Sequence, residues 1–210
     1  MSNKAKNIVI ILLCVIIAGA LGLSAYTIYA AAGSDEPNPN VTLVTTPEQE
    51  AFEIHPEWTV PETEPVDYGE NIALEKKVKQ SGQTDIYNCK NVNDGDRYTY
   101  WEGESDDYPN EVTIDMEQSV DMSGARILLN PRQIWGARTQ DVEVQVSEDG
   151  ESFTTVYPRT VLSFDPNKDN SAYMEFEETV RGQYIRFVFY ANTGAKGGQA
   201  AEIEVYAPKA

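Results

Sequence analysis

The stretch 91–102 combines several side-chain oxygens with a turn-forming glycine. Asp94, Asp96 and Thr99 can supply carboxylate and hydroxyl oxygens, and Gly95 lets the backbone turn sharply enough to point carbonyl groups inward. A hard cation such as Ca²⁺ takes about six to eight oxygen ligands of these kinds. The same residues are typical of an Asx turn, which forms without a metal. The spacing alone therefore leaves a cation site and a metal-free turn open.

The overall composition excludes several functional classes. The 210-residue chain has a formal net charge of −18, which does not favour nucleic acid or an anionic membrane surface, because both recruit Lys and Arg. His55 is the single histidine, so a His-rich zinc site cannot be assembled. Cys14 belongs to an apolar run and Cys89 stands alone downstream, so no intradomain disulfide is predicted. No carboxylate pair stands out as the acid/base couple of a glycosidase, so we expect no enzyme.

The N-terminal segment is typical of a membrane anchor. Residues 8–32 carry no charge and are rich in Ile, Leu, Val and Ala, and about twenty such residues span a bilayer core. Lys4 and Lys6 before this run place the N-terminus in the cytoplasm and the remainder outside the cell. We predict that segment 1–32 is a single-pass signal anchor in the cell membrane. A cleaved signal peptide, with the small residues 30–32 as its cleavage site, remains the alternative and would give a secreted protein.

Segment 33–68 is predicted to be a disordered linker. It is rich in Pro, Thr and Glu, poor in apolar residues and free of Lys and Arg. Such a composition cannot bury enough surface to offset the entropy lost on ordering, and its prolines and like charges favour an extended spacer.

Segment 69–210 has the pattern of an all-β domain. Apolar and polar residues alternate in 112–115, 142–146 and 203–206, and Ser147–Gly150 is typical of a hairpin turn. Alternation of period two, interrupted by clusters of Gly, Asn, Asp and Pro, indicates a β-sandwich. No stretch of ten to fifteen residues keeps a helical period between strands, which argues against a parallel α/β fold.

Several motifs of this segment follow one another in a characteristic order. They are Asn71–Leu74, Asp94–Asp96, Thr99–Gly103, Val112–Asp115, Trp135–Gln140, Gln145–Gly150 with Phe153, Tyr184–Arg186, Ala191–Gly194 and Glu202–Tyr206. Together they resemble the discoidin domain, also called the coagulation factor 5/8 type C domain, and most closely the modules appended to bacterial polysaccharide hydrolases. The resemblance extends from Asn71 to Ala207 and implies a galactose-binding-like jelly roll.

The resemblance implies a structural Ca²⁺ ion. In the family a cation lies in the Asp-Gly loop and is closed by a glutamate of the last strand. The matching residues of this protein supply side-chain oxygens and, from around Asn91 and Ala201, backbone carbonyls. The implied metal ligands are Asn91, Asp94, Asp96, Thr99, Ala201 and Glu202.

The resemblance also implies a sugar site at one end of the sandwich. Sugar sites use an aromatic ring for the apolar face of the sugar and planar donors or carboxylates for its hydroxyls. Trp135 can instead be a packing residue, and Arg138 can instead pair with a carboxylate across the sheet. Glu102-Gly103-Glu104-Ser105 stands where galactose-binding members often have His and a second Trp, which does not favour galactose. The implied carbohydrate-binding residues are Tyr87, Glu102, Trp135, Arg138, Asn192 and Gln199.

From these features we expect a non-catalytic, membrane-anchored, extracellular module that binds a cell-wall or extracellular polysaccharide on a bacterial cell surface. The alternative is a discoidin-type protein-recognition or adhesion domain with a protein partner in the cell envelope. The acidic composition of the domain argues against phospholipid binding, which uses apolar residues surrounded by basic ones.

Overall fold

The computed structural model describes residues 59–62, 64 and 66–209. The predicted membrane segment 1–32 and most of the predicted linker lie outside these residues. No helix among the described residues is long and apolar enough to cross a membrane. Short 3₁₀ turns occur at Cys89–Val92, Gln133–Trp135 and Pro166–Lys168. The strands are β1 (Lys77–Gln80), β2 (Trp101–Glu102), β3 (Asn110–Leu128), β4 (Arg138–Ser147), β5 (Thr154–Phe164), β6 (Ser171–Asn192), β7 (Gln199–Ala200) and β8 (Glu202–Tyr206).

Two long strands join the two layers of the domain. β3 and β6 pair antiparallel, and their ladder is interrupted between Asp115 and Val120. The first half of β3 and the second half of β6 form one layer with β1, β4 and β5. The other halves form the opposite layer, in which β8 pairs with β3. All pairs are antiparallel, as the period-two alternation predicts.

The core lies between these layers. Along β4, Val142, Val144 and Val146 are buried and alternate with less buried residues, so their side chains share the inward face. Trp101 on β2 and Phe189 on β6 are also fully buried, with ring centroids 5.4 Å apart. Burying each such side chain stabilises the fold by roughly 1.5–3 kcal/mol relative to leaving it exposed. The all-β sandwich predicted from the sequence is therefore confirmed.

Several loops meet at one end of the sandwich, which we call the loop end. β3 and β6 finish there, and their last residues lead into loops 129–137 and 193–198. The segment 81–109, which contains β2, reaches the same end because Trp101 and Glu102 pair with Ala200 and Gln199 of β7. All candidate site residues predicted from the sequence lie in or beside these loops.

The described end of the predicted linker contacts the domain. The ring of Tyr68 stacks on Tyr206 with centroids 5.5 Å apart and lies 4.6 Å from the ring of Tyr173. The Arg126 guanidinium lies 4.7 Å from the centre of the Tyr68 ring. Asn71 then forms a bridge with Tyr206, so the polypeptide enters the sandwich beside its last strand.

Candidate functional site

Three aromatic rings pack together at the loop end. The rings of Tyr87 and Tyr100 are stacked with centroids 4.2 Å apart, and Tyr100 meets the edge of Trp135 at 4.8 Å. All three side chains are half-buried, so part of each ring faces solvent. Tyr100 is absent from the residues predicted for the site. Its place beside Trp101 could have indicated it, because neighbouring residues of an extended segment point to opposite sides and Trp101 points into the core.

A polar network adjoins the three rings and centres on Gln199. Arg138 donates from Nη1 to Oε1 of Gln199 at 2.6 Å, and Gln199 donates from Nε2 to Oε2 of Glu102 at 2.9 Å. Asn192 also donates from Nδ2 to Oε1 of Gln199, at 3.3 Å. The Arg138 guanidinium lies 5.0 Å from the centre of the Trp135 ring, which joins the network to the aromatic rings. The six residues predicted as a sugar site therefore form one connected cluster with Tyr100, which we call the loop-end cluster.

The structure shows the contacts of Trp135 and Arg138, for which the sequence left alternatives open. Trp135 is in contact with Tyr100 and Arg138 and packs partly against the core, so it combines packing with an accessible surface. Arg138 donates to an amide oxygen and to the Gly136 carbonyl at 3.4 Å. Among the described residues it forms no ion pair with a carboxylate across the sheet.

The backbone of Gln199 is held by a residue that sequence reasoning missed. Gln140 of β4 is fully buried, donates from Nε2 to the Gln199 carbonyl at 2.9 Å and accepts the Gln199 N–H at Oε1 at 2.7 Å. Gln140 is in phase with the buried residues Val142 and Val144 of the same strand. That phase was a usable signal, because a polar residue on the inward face of a strand must find buried partners.

Two glycines allow the close approach of β2 and β7. A Cβ atom on Gly197 would lie 2.3 Å from the Gly103 carbonyl oxygen, and one on Gly198 would lie 2.6 Å from side-chain atoms of Phe189. The fully buried Asn110 accepts the Gly198 N–H at 2.7 Å and so fixes this segment. The Gly197-Gly198 pair therefore brings Gln199 close enough to Glu102 for their hydrogen bond.

Tyr100 and Arg138 keep their usual protonation states at neutral pH. Burial raises the pKa of Tyr100, as does its hydrogen bond with Tyr87, so its hydroxyl stays protonated. Burial lowers the pKa of the Arg138 guanidinium, and Glu102 and Tyr100 oppose that effect. Arginine nevertheless remains charged in proteins. The cluster thus offers accessible ring surface, a planar cation, amides and a carboxylate, the groups suited to a sugar ring and its hydroxyls.

Large apolar side chains flank the cluster. Ile86 is 76% exposed beside Tyr87, and Ile134 is 61% exposed beside Trp135. An exposed isoleucine adds apolar surface that a ligand can cover, and two of them border this one site.

The predicted metal-binding residues lie at the loop 94–99 and the start of β8. Thr99 donates from Oγ1 to Oδ2 of Asp94 and to the Asp96 carbonyl, both at 2.9 Å. Asp94 and Asp96 also accept backbone N–H groups two residues further on, which are the bonds of Asx turns. The loop therefore has the metal-free turn bonds that the sequence left open.

Glu202 makes the loop suitable for a cation. It is only 4% exposed, accepts the Gly95 N–H at 3.0 Å and lies next to Asp94. Burial raises the pKa of Glu202 to about 8, and the neighbouring Asp94 carboxylate adds to that shift. A divalent cation would neutralise two adjacent carboxylates, one of them buried, so this donor set fits Ca²⁺.

The other implied ligands contribute less directly. Ala201 donates its N–H to the Leu128 carbonyl at 2.8 Å, next to Glu202, and Asn91 donates from its side-chain amide to the Tyr100 carbonyl at 2.8 Å. The described residues contain no group of three or more His, Cys, Asp or Glu side chains placed to hold a metal. A cation at this loop would therefore need the Thr99 hydroxyl and backbone carbonyls in addition to carboxylates.

Comparison with solved structures gives the same fold at low sequence identity. A chitosan-binding module from a chitosanase/glucanase of Paenibacillus sp. IK-5 is 20% identical, with a TM-score of 0.55, and the match covers 67% of this protein and 100% of the module. A pectin-binding carbohydrate-binding module is 18% identical, with a TM-score of 0.54, and the match covers 66% of this protein and 94% of the module. The CBM32 module of AlyQ, solved with 4,5-unsaturated mannuronic acid, is 18% identical, with a TM-score of 0.52, and the match covers 63% of this protein and 95% of the module.

Comparison with family models assigns the domain. No curated protein matches the sequence. The F5/8 type C domain model matches residues 77–203, which is more than half of the 210 residues and contains the loop-end cluster and the loop 94–99. The resemblance noted in the sequence is thereby confirmed, and the protein belongs to the F5/8 type C, or discoidin, domain family.

Proposed function

We propose that the domain binds a polysaccharide at the loop-end cluster and carries out no reaction. The observation that carries this proposal is the connected set of Tyr87, Tyr100 and Trp135 with Arg138 and Gln199. The exposed parts of the rings suit the apolar face of a sugar, and the guanidinium, amides and carboxylate suit its hydroxyls. The domain is similar to carbohydrate-binding modules whose names specify chitosan and pectin.

The proposal is tested by retention of the full-length protein on insoluble polysaccharides, including chitosan, pectin, α-1,3-glucan and peptidoglycan. A nonionic detergent without a sugar headgroup keeps the apolar segment 8–32 in solution without competing for the site. Trp135→Ala is compared with Tyr157→Ala, because both side chains are half-buried and pack against the core while only Trp135 belongs to the cluster. We expect Trp135→Ala to abolish retention and Tyr157→Ala to preserve it.

A protein partner in the cell envelope is the second candidate. It is favoured by the exposed Ile86 and Ile134, because exposed apolar side chains that border one site are common in protein interfaces. If no polysaccharide retains a wild-type protein that unfolds cooperatively, the polysaccharide proposal is wrong and this candidate replaces it.

We also propose that the domain is displayed outside the cell by a membrane anchor. The uncharged run 8–32 after Lys4 and Lys6 supports this orientation. Membranes from expressing cells, washed with alkaline carbonate, should retain the intact protein, and protease added to whole cells should remove the domain. A product whose N-terminus begins at residue 33 or nearby would instead establish a cleaved signal.

Ca²⁺ at the loop 94–99 is the remaining proposal. Its support is the buried Glu202 beside Asp94, with Thr99 and Asp96 in the same loop. When bound, the cation would neutralise these carboxylates and tie the loop to β8. Asp94, Asp96, Thr99 and Glu202 would supply side-chain oxygens, and the backbone near Asn91 and Ala201 would complete the set.

A further inference from the structure

The basic side chains of the domain differ in whether they have a carboxylate partner. In a protein this acidic most of them do, as in the ion pairs Arg159–Asp141 and Lys196–Asp106. A few described basic residues form no ion pair with a described carboxylate. These are Lys79, Lys90, Arg132, Arg138 and Lys168.

Two of these unpaired cations lie on one side of the loop end, where Arg138 and Lys168 line the same cavity of about 600 Å³. Arg132 lies in the loop that carries Trp135. The Arg132 guanidinium lies 4.9 Å from the centre of the exposed Tyr98 ring and therefore stays at the surface. A cavity of this volume is within the size range of small-ligand sites, about 300–1,000 Å³.

The rest of the cavity lining is rich in hydroxyl groups and poor in acids. Asp165 is the only carboxylate among its described lining residues. Oδ1 of Asp165 already accepts from the backbone N–H and from Nδ2 of Asn167, at 2.9 and 3.0 Å, where it caps the 3₁₀ turn that ends at Lys168. The hydroxyl groups of the lining belong to Thr139, Ser163, Ser171 and Thr193.

The opposite side of the cluster has the reverse charge. Glu102 belongs to the cluster itself, and Glu104 and Asp107 line a separate cavity that contains no described basic residue. The Lys196 ammonium on that side is already paired with Asp106 at 2.9 Å. An anionic group bound at the loop end would therefore be directed toward Arg138 and Lys168 and away from the acidic side.

Arg138 belongs to both the cluster and the cavity. It contacts Trp135 and Gln199 in the cluster and also lines the cavity with Lys168. A sugar on the exposed part of the Trp135 ring would thus have the cavity beside it. A carboxylate or sulfate carried by that sugar, or by the next one in the polysaccharide, can reach two cations there.

We propose that this cavity is a subsite for an acidic sugar, so that the module selects glycans bearing a carboxylate or a sulfate despite the net negative charge of the protein. The inference rests on the proposed polysaccharide function of the loop-end cluster. Arg138 and Lys168 bind the anionic group, and the surrounding hydroxyls bind sugar hydroxyls. The distant acidic residues contribute little at physiological ionic strength, because charges more than about 8 Å away are largely screened.

Calorimetric titration of the full-length protein tests the subsite. The probes are a galacturonate oligosaccharide, its methyl ester, which removes the charge and keeps the backbone, and a sulfated galactan oligosaccharide with its desulfated form. Lys168→Gln is matched by Lys90→Gln, since Lys90 is another exposed cation without a carboxylate partner but does not line the cavity. The same sugar-free detergent is used throughout.

We expect the galacturonate or the sulfated galactan to bind more tightly than its neutral counterpart. Lys168→Gln should weaken the affinity for the charged ligand about two- to fivefold, which is the effect of one screened ion contact. The affinity for the neutral form should not change. Lys90→Gln should change neither. The charged probe that shows this difference identifies the anionic group as carboxylate or sulfate.

Two outcomes would overturn the inference in distinguishable ways. Neutral and charged forms that bind equally in a Trp135-dependent manner would remove the subsite and keep the proposed polysaccharide function. No binding of any probe, together with no retention on any insoluble polysaccharide, would remove both.

Discussion

Replacing Gln140 by alanine tests how the loop end is built. The Gln140 side chain is fully buried and makes two hydrogen bonds, at 2.9 and 2.7 Å, to the backbone carbonyl and N–H of Gln199. In Gln140→Ala both backbone groups lose their buried partner, and each such loss costs about 1–3 kcal/mol. Water entering the vacated space would form hydrogen bonds with some of these backbone groups. We therefore expect a loss of about 2–4 kcal/mol in the free energy of unfolding.

Urea denaturation followed by tryptophan fluorescence measures this loss. With a slope near 2 kcal/mol/M, which is ordinary for a domain of this size, the midpoint should fall by about 1–2 M. Gln145→Ala is the matched control on the same strand, because Gln145 is half-buried and donates only to Glu143. Its loss should stay below about 0.5 kcal/mol.

Gln140→Glu separates the lost hydrogen bond from the lost volume. The glutamate keeps the size of the side chain and can still accept the Gln199 N–H, but it cannot donate to the Gln199 carbonyl when ionised. We expect it to lower the midpoint about as much as the alanine does. If Gln140→Ala lowered the midpoint no more than Gln145→Ala, the role assigned to Gln140 would be refuted.

The remaining predictions concern the loop 94–99, a hairpin turn and the free thiol. Chelating Ca²⁺ should lower the urea midpoint of the wild type but not of Glu202→Gln; a midpoint insensitive to chelator would contradict the cation proposal. Hydrogen bonds from Ser152 and Glu151 lower the pKa of Asp149 to about 2, so the stability it contributes is present above pH 4 and lost as the pH falls toward 2. Asp149→Ala should therefore lower the midpoint at pH 6 and have little effect at pH 2. Burial raises the pKa of the Cys89 thiol. In a Cys14→Ser background, Cys89 should therefore react with a thiol reagent only after the protein unfolds. Fast reaction of Cys89 in the folded protein would contradict its burial.

Strand identity was predictable because it depends on local alternation. Val142–Val146 lies within β4, and the run 203–206 lies within β8. The sequence also predicted the hairpin turn after β4, where Ser147 accepts the Gly150 N–H at 2.9 Å. It did not predict that β3 and β6 run on through both layers, because the break between Asp115 and Val120 resembles an ordinary loop in sequence.

The sequence predicted most residues of the loop-end cluster but not the contacts between them. The loop resemblance brought forward Trp135 and Arg138, but it did not indicate that Arg138 would donate to Gln199 instead of to a carboxylate. Tyr100 and Gln140 were missed because their roles do not follow from a loop motif. Their roles depend on which way each side chain points relative to the core. Tyr100 points away from the side of the buried Trp101, and Gln140 shares the inward face of β4 with Val142.

The sequence by itself determined the all-β class, several of the strands, the family and the acidic balance of the protein, since these follow from local alternation, ordered motifs and composition. Tertiary structure alone decided which polar groups meet. Glu102 and Gln199 are far apart in sequence and come together because β2 pairs with β7. Arg138 and Lys168 share one cavity because the loops of different strands end at the same side. The physical reason is that alternation along a strand is a local property, whereas contacts between loops depend on how the two layers pack.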